Sequence, residues 1–310
     1  MQSAIVVGYQ VTIMFLLTLV GVYCCRKGII TQEVARYLSN FLLNVALPGV
    51  VFSSLYQPMK TELLTGFFLA FFLAVGMHLF GIAIARLLIP KREGQYYHSE
   101  RFSIIFANSA FMAIPLIRAS LGEESTFFAS AFIAVFVLFQ WTYGILELGG
   151  HFEMKKLVIN PCVIAALSGF LIFLIQIKIP GPIIDTVRLL GGLTTPLSMV
   201  VAGVFLARLK VSELKSCNMY WAALLRTMIV PLCCVAIVWA IGAPSWFTGA
   251  LPACLAAIYC YSCPSGVSVV LLSATLGKDE TYPGRLIAVT TLMSLVTLPA
   301  IAALANAVLV

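Results

Sequence analysis

Ten stretches of the chain run apolar for 20 residues or more. Their approximate bounds are 4–25, 35–56, 63–89, 101–121, 125–148, 157–177, 183–208, 219–241, 248–276 and 284–309. None alternates apolar and polar positions with the period of two that a membrane strand requires. Each predicts a helix long enough to cross a hydrocarbon core of about 30 Å. The expected fold class is therefore an all-α membrane protein of ten spans, numbered 1 to 10 here.

Polar residues interrupt this pattern in a repeating way. Span 2 carries Leu47-Pro48 and span 7 carries Thr195-Pro196 at mid-length. Span 4 ends in Leu121-Gly122 and span 9 in Leu276-Gly277. Counting back 13 residues from the two glycines reaches Ser109 and Pro264, each in a stretch of small polar residues. Spans 4 and 9 are thus expected to be equivalent and broken within the membrane. The trace predicts two inverted repeats of five spans, residues 1–148 and 157–310, joined by a linker at 149–156.

The composition fits lipid as solvent. Of 310 residues, 61% are hydrophobic and 10% charged, and the mean hydropathy is +1.04. A soluble domain carries roughly 25% charged residues. The net charge of +7 raises the question of a nucleic-acid partner. The cations are dispersed among short loops, and no such partner is expected. With the N-terminus outside, the inner side holds Arg26, Lys27, Arg36, Arg86, Lys91, Arg92, Arg101, Lys155, Lys156, Arg208, Lys210, Lys215, Arg226, Lys278 and Arg285. The outer side holds Lys60, Arg118, Lys178 and Arg188. This asymmetry predicts a multi-pass protein of the cell (plasma or inner) membrane with both termini extracytoplasmic. The first run starts almost at Met1 and is read as a span rather than a cleaved leader. Most of the nine cysteines lie in apolar runs and are read as small hydrophobes. The Cys260–Cys263 spacing has no His or acidic neighbour that would suggest redox or metal chemistry.

A helix broken by proline frees carbonyls and amides that lipid cannot satisfy, so the break must face protein or a wet cavity. The new helix N-termini suit an anion. Asn108, Ser109 and Pro115 in span 4, and Ser262, Cys263, Pro264, Ser265 and Gly266 in span 9, are the candidate binding residues. Asn44 and Gln140 are expected to complete the cavity. A plain proline kink, with Ser and Asn bonded to backbone carbonyls, is the other reading of a single break. Its recurrence in corresponding helices favours a site. His78 is read either as a proton-linked group or as a hydrogen-bonded packing residue. No Asp, Glu, Lys or Arg is expected at mid-membrane. Arg226 and Glu147 are assigned to inner helix ends, so half-helix dipoles and amides, rather than a buried cation, would hold an anion.

The stretch from Asn108 through Ile114-Pro115-Leu116 to Gly122 resembles the span-4 crossover of the auxin efflux carrier family. That family includes the plant PIN-formed carriers and bacterial permeases labelled malate or malonate transporters. Cys263-Pro264-Ser265-Gly266 resembles its span-9 crossover. Asn160-Pro161, Leu47-Pro48, and Arg226 with Pro231 resemble its patterns in spans 6, 2 and 8. The ordered set covers essentially the whole chain. The resemblance implies ten spans in two inverted repeats that cross at the broken helices 4 and 9. It also implies a scaffold (spans 1, 2, 6 and 7) held as a homodimer, and a transport domain (spans 3–5 and 8–10) moving like an elevator. Its substrates are small organic carboxylates such as an auxin-like monocarboxylate or a malate-like dicarboxylate. The long cytoplasmic loop of many plant carriers is absent, and Ser265 stands where they commonly have Gln, so auxin specificity is not carried over. Sodium-coupled bile-acid symporters share the architecture, which leaves Na⁺ or H⁺ coupling open. No cofactor is expected. The rival readings are a coupled organic-anion symporter and a transporter-like receptor. An intramembrane enzyme lacks support, because neither His98 nor His151 has a ligand cluster beside it.

Overall fold

The computed structural model describes residues 2–94, 96–207 and 216–310, with side chains from residue 5 onward. Arg208, Lys210 and Lys215 of the loop cations, and the last residue of span 7, lie outside the described residues. Every named element is helical. Among the described residues, seven helices are long and apolar enough to cross a membrane: α1 (Gln2–Arg26), α2 (Gln32–Leu55), α3 (Thr61–Leu88), α6 (Glu123–Glu147), α8 (Gly181–Leu206), α9 (Cys217–Ala240) and α12 (Thr281–Leu309). Three further apolar helices are shorter: α5 (Ser109–Leu121), α7 (Pro161–Ile175) and α10 (Ala250–Ser262). Two short helices, α4 (Tyr96–Ile105) and α11 (Ser268–Thr275), complete the broken segments.

The helix that opens the fourth segment starts at Tyr96, five residues before the expected boundary, through a polar stretch. The polar groups are satisfied inside the protein. Glu100 is buried, pairs with Arg92 and accepts from the Tyr282 hydroxyl. Arg101 gives two bonds to the Ile89 carbonyl, 2.9 and 2.6 Å. Hydropathy reads such residues as loop, because it cannot see their partners.

Proline placement follows a local rule. Three π-helical turns of five residues, Leu42–Ala46, Ser109–Ala113 and Leu225–Ile229, each end two residues before a proline: Pro48, Pro115 and Pro231. Proline clashes with the carbonyl one turn back and cannot donate to it. The wider turn accommodates both defects without ending the helix. A fourth π turn, Gln140–Gly144, has no proline after it.

Burial of apolar surface gives helices little drive to associate in lipid, so close backbone packing and interhelical bonds matter more. Glycines provide that packing where α1 crosses α8. A Cβ at Gly21 would lie 2.0 Å from the Val200 carbonyl oxygen, and one at Gly203 would lie 2.0 Å from that of Thr18. Gly191 on α8 abuts α2 in the same way, 2.8 Å from the Val50 nitrogen. α3 packs along α6 and α10. The large buried side chains concentrate there and in α4, with Phe102, Phe106, Phe127, Phe132, Tyr259 and Tyr261 all inaccessible.

The breaks between α4 and α5, and between α10 and α11, meet. Ala107 and Ser265 form an isolated antiparallel bridge. The Asn108 N–H donates to the Pro264 carbonyl at 2.7 Å, and the Gly266 N–H donates to the Phe106 carbonyl at 3.1 Å. Two extended strips thus satisfy each other in the middle of the helical bundle. Both residues reached by counting back from Gly122 and Gly277 lie at the edges of these strips, and both glycines have positive φ, +91° and +66°.

Candidate functional site at the helix crossover

The four half-helix ends at the crossover differ in their electrostatic treatment. The C-terminal ends of α4 and α10 present carbonyls, and Arg226 meets both. Its Nη1 donates to the Ile104 carbonyl at 2.7 Å and its Nε to the Cys263 carbonyl at 3.1 Å. The guanidinium lies 4.7 Å from the centroid of the Tyr261 ring. Arg226 is fully buried in the π turn of α9. This corrects the assignment of Arg226 to an inner helix end and the expectation that no cation sits at mid-membrane. Hydropathy places an arginine at a helix boundary. Here two negative dipole ends and an aromatic face accept it in the interior.

The N-terminal ends of α5 and α11 carry partial positive charge. The Phe111 and Met112 amides bond the Asn108 carbonyl, and the Val269 and Val270 amides bond those of Gly266 and Val267, which leaves the amides of Ser109, Ala110 and Ser268 as the outermost donors. Both ends face a cavity of about 130 Å³. Its floor is Ala107, Asn108, Gly266, Val267 and Ser268, and its walls come from α2, α6, the start of α7 and α11. Asn40, Asn44, Asn108, Gln140 and Asn160 put carboxamides around it, and no charged residue lines it. Asn108 is 5% exposed. Its backbone N–H is taken by Pro264 and its carbonyl accepts from Phe111 at 3.3 Å and Met112 at 3.0 Å, while its carboxamide has no partner among the described residues. Gln140, at the first position of the proline-free π turn, is 3% exposed, and its Oε1 is buried without a donor. Asn44 donates to the Asn40 carbonyl at 2.8 Å, and Asn160 caps α7 by accepting from the Cys162 amide at 2.9 Å.

Four of the ten candidate residues therefore line this cavity: Asn44, Asn108, Gln140 and Gly266. Five belong to the crossover without facing it. Ser109 Oγ contacts the Ala107 carbonyl at 3.5 Å. Ser262 Oγ and Cys263 Sγ turn back onto their own helix, at 2.7 and 3.3 Å. Pro264 accepts from Asn108. Ser265 is held through its N–H to Thr290 Oγ1 at 3.2 Å, with its own hydroxyl unpartnered. Pro115 lines a second cavity of about 460 Å³ with Arg118, Glu123, Arg188 and Thr195. That cavity lies towards the Leu55 end of α2 and the Leu121 end of α5. Thr195 Oγ1 donates to the carbonyl of Phe111, a wall of the first cavity, at 3.1 Å.

Several site residues escaped the sequence reading. Asn40, Trp141, Ser268 and Thr275 line the cavity; Asn40 lies one helical turn from Asn44, Ser268 and Thr275 lie within a turn of Leu271, and Trp141 is the neighbour of Gln140. His78 lies outside its walls. Its Nδ1 bonds the Ala74 carbonyl at 2.7 Å, within an aromatic cage that includes Phe132 and Phe139.

The multi-pass helical fold and the polar cavity at paired helix breaks define a membrane transport protein. Residues 6–302 match the family model described as membrane transport protein. The chain belongs to that family, the auxin efflux carrier family, and is a membrane transporter. None of the curated proteins matches it.

Proposed function

We propose that the protein carries a small organic anion, a mono- or dicarboxylate, by elevator-type alternating access, as a uniporter or secondary carrier. The observation that carries this reading is the division of charge at the crossover. Arg226 neutralises the two carbonyl ends on one side. Two amide ends and a set of carboxamides face the cavity, with no carboxylate to repel an anion. A substrate carboxylate would accept from the outermost amides of α5 and α11, those of Ser109, Ala110 and Ser268, and from Asn108 Nδ2, with Gln140 orienting its far end. The second cavity, at the other end of α2 and α5, is the opposite vestibule in this reading; its Arg118 and Arg188 are paired with Glu123 and Asp185. In this reading the chain has ten spans in two inverted repeats. A scaffold of α1, α2, α7 and α8 holds a homodimer in the cell membrane, and the remaining helices move.

Purified protein in liposomes, loaded with a panel of radiolabelled mono- and dicarboxylates, tests it. At least one carboxylate should exchange across the membrane, with a rate that responds to membrane potential if the anion moves alone. A rate that follows an imposed Na⁺ or pH gradient instead would make the carrier a symporter. Exchange of neutral or cationic solutes only would overturn the anion assignment.

A further inference from the structure

The seam between α3 and α6 carries two features that the transport reading does not use. At the cation-rich end is an open pocket of about 390 Å³ lined by Arg86, Lys91, His98, Arg101, Leu146 and Glu147. Its single carboxylate is already engaged. Glu147 accepts from the Tyr143 hydroxyl at 2.7 Å, contacts His98 Nδ1 at 3.2 Å and pairs with Arg101 at 3.7 Å. Arg101 is otherwise fixed on the Ile89 carbonyl. Arg86 donates only its Nε, to the Tyr143 hydroxyl at 3.0 Å, and lies against that ring. Its two terminal nitrogens and the exposed Lys91 ammonium bond nothing among the described residues, so the pocket offers cationic donors without an anionic partner there.

Further along the same seam, α3, α6 and α7 enclose an apolar groove of about 360 Å³, with Phe68, Phe72, Leu138, Leu167 and Phe170 in its walls. Phe72, Leu79 and Arg86 follow one another at intervals of seven on one face of α3, so groove and pocket share a stripe. Phe72 is 66% exposed and Leu79 54%. Along α6, Leu138 of the groove precedes Leu146 of the pocket by eight residues, about 12 Å of helix, and along α3 Phe72 precedes Arg86 by fourteen, about 21 Å. The groove thus starts within the roughly 15 Å depth of one leaflet on its α6 side and reaches past it on its α3 side.

We propose that this seam binds an anionic glycerophospholipid, its phosphate on Arg86 and Lys91 and an acyl chain in the phenylalanine groove. Charge complementarity selects the headgroup, because the membrane supplies phosphate at that depth and the pocket has two cations free to meet it. The groove makes the lipid, rather than free phosphate, the occupant. The site is independent of which solute the carrier moves.

The test is lipid binding by the full chain in detergent, followed by native mass spectrometry and thermal unfolding. Dioleoyl phosphatidylglycerol should bind and raise the unfolding midpoint, whereas dioleoyl phosphatidylcholine and inorganic phosphate should not. The R86Q/K91Q variant, its lipid-free unfolding midpoint measured as the baseline because Arg86 also bonds Tyr143, should bind phosphatidylglycerol at least tenfold more weakly. Leu138→Trp, which fills the groove, should weaken it as well. Equal binding of the two lipids would reduce the seam to ordinary lipid-facing surface. Equal stabilisation by phosphate would make it a free-anion pocket. Unchanged binding in R86Q/K91Q would remove the headgroup contact. Each of these three results overturns the proposal.

Discussion

Asn108 gives its backbone N–H to Pro264 and its carbonyl to Met112, so its carboxamide alone is available to a ligand. Gln140 is the complementary case, a buried acceptor with no donor. An orphaned buried polar atom costs about 1–3 kcal/mol. Gln140→Leu should therefore leave thermal stability unchanged or raise it while weakening ligand binding; a fall in both would mark Gln140 as a packing residue. Arg226 has the opposite profile. Arg226→Leu orphans the Ile104 and Cys263 carbonyls and uncovers two negative helix ends. It should lower the unfolding midpoint and abolish uptake, and Arg226→Lys should restore little, since a point charge cannot fork to both carbonyls. Asn108 and Gly266 were legible as cavity-lining residues because small polar residues are rare within an apolar run. Arg226 was not, because the carbonyls that accept it come from α4 and α10, more than 30 residues away in either direction.

At the scale of elements, the helices were legible and their joints were not. Apolar runs located the segments from α1 to α12, since lipid demands that length. The polar start of α4 was read as loop because Glu100 and Arg101 find partners only in the folded bundle. The π turns before Pro48, Pro115 and Pro231 have no sequence signature beyond the proline itself. Glycine contacts decide which helices touch. A side chain at Gly203 must displace the Thr18 carbonyl of α1. Gly203→Leu should thus destabilise the protein by about 2 kcal/mol or more, read as a lower unfolding midpoint. Gly76→Leu, where an added Cβ meets nothing within 4 Å, should be neutral in the same assay.

For the whole molecule, the proposed orientation rests on the surplus of cations at one end. That bias survives the removal of Arg101 and Arg226, which are buried in helices rather than placed in loops. Alkaline phosphatase, which is active only outside the cytoplasm, should therefore be active when fused after Val310, and inactive when inserted after His151. The reverse pattern would invert the assignment of the two cavities. Function was legible as a class, through the paired breaks. The division of labour at the crossover emerged only when Arg226 was seen to hold the carbonyl ends, leaving the amide ends to the cavity.

The central claim is that a carboxylate binds at those amide ends beside Asn108. Its most direct measurement is equilibrium binding of labelled mono- and dicarboxylates to the purified protein and to Asn108→Ala. The account predicts that at least one carboxylate binds, and that Asn108→Ala weakens it tenfold or more, about 1.4 kcal/mol, with the unfolding midpoint preserved. Binding that is unchanged by Asn108→Ala, or no carboxylate binding at all, would contradict it.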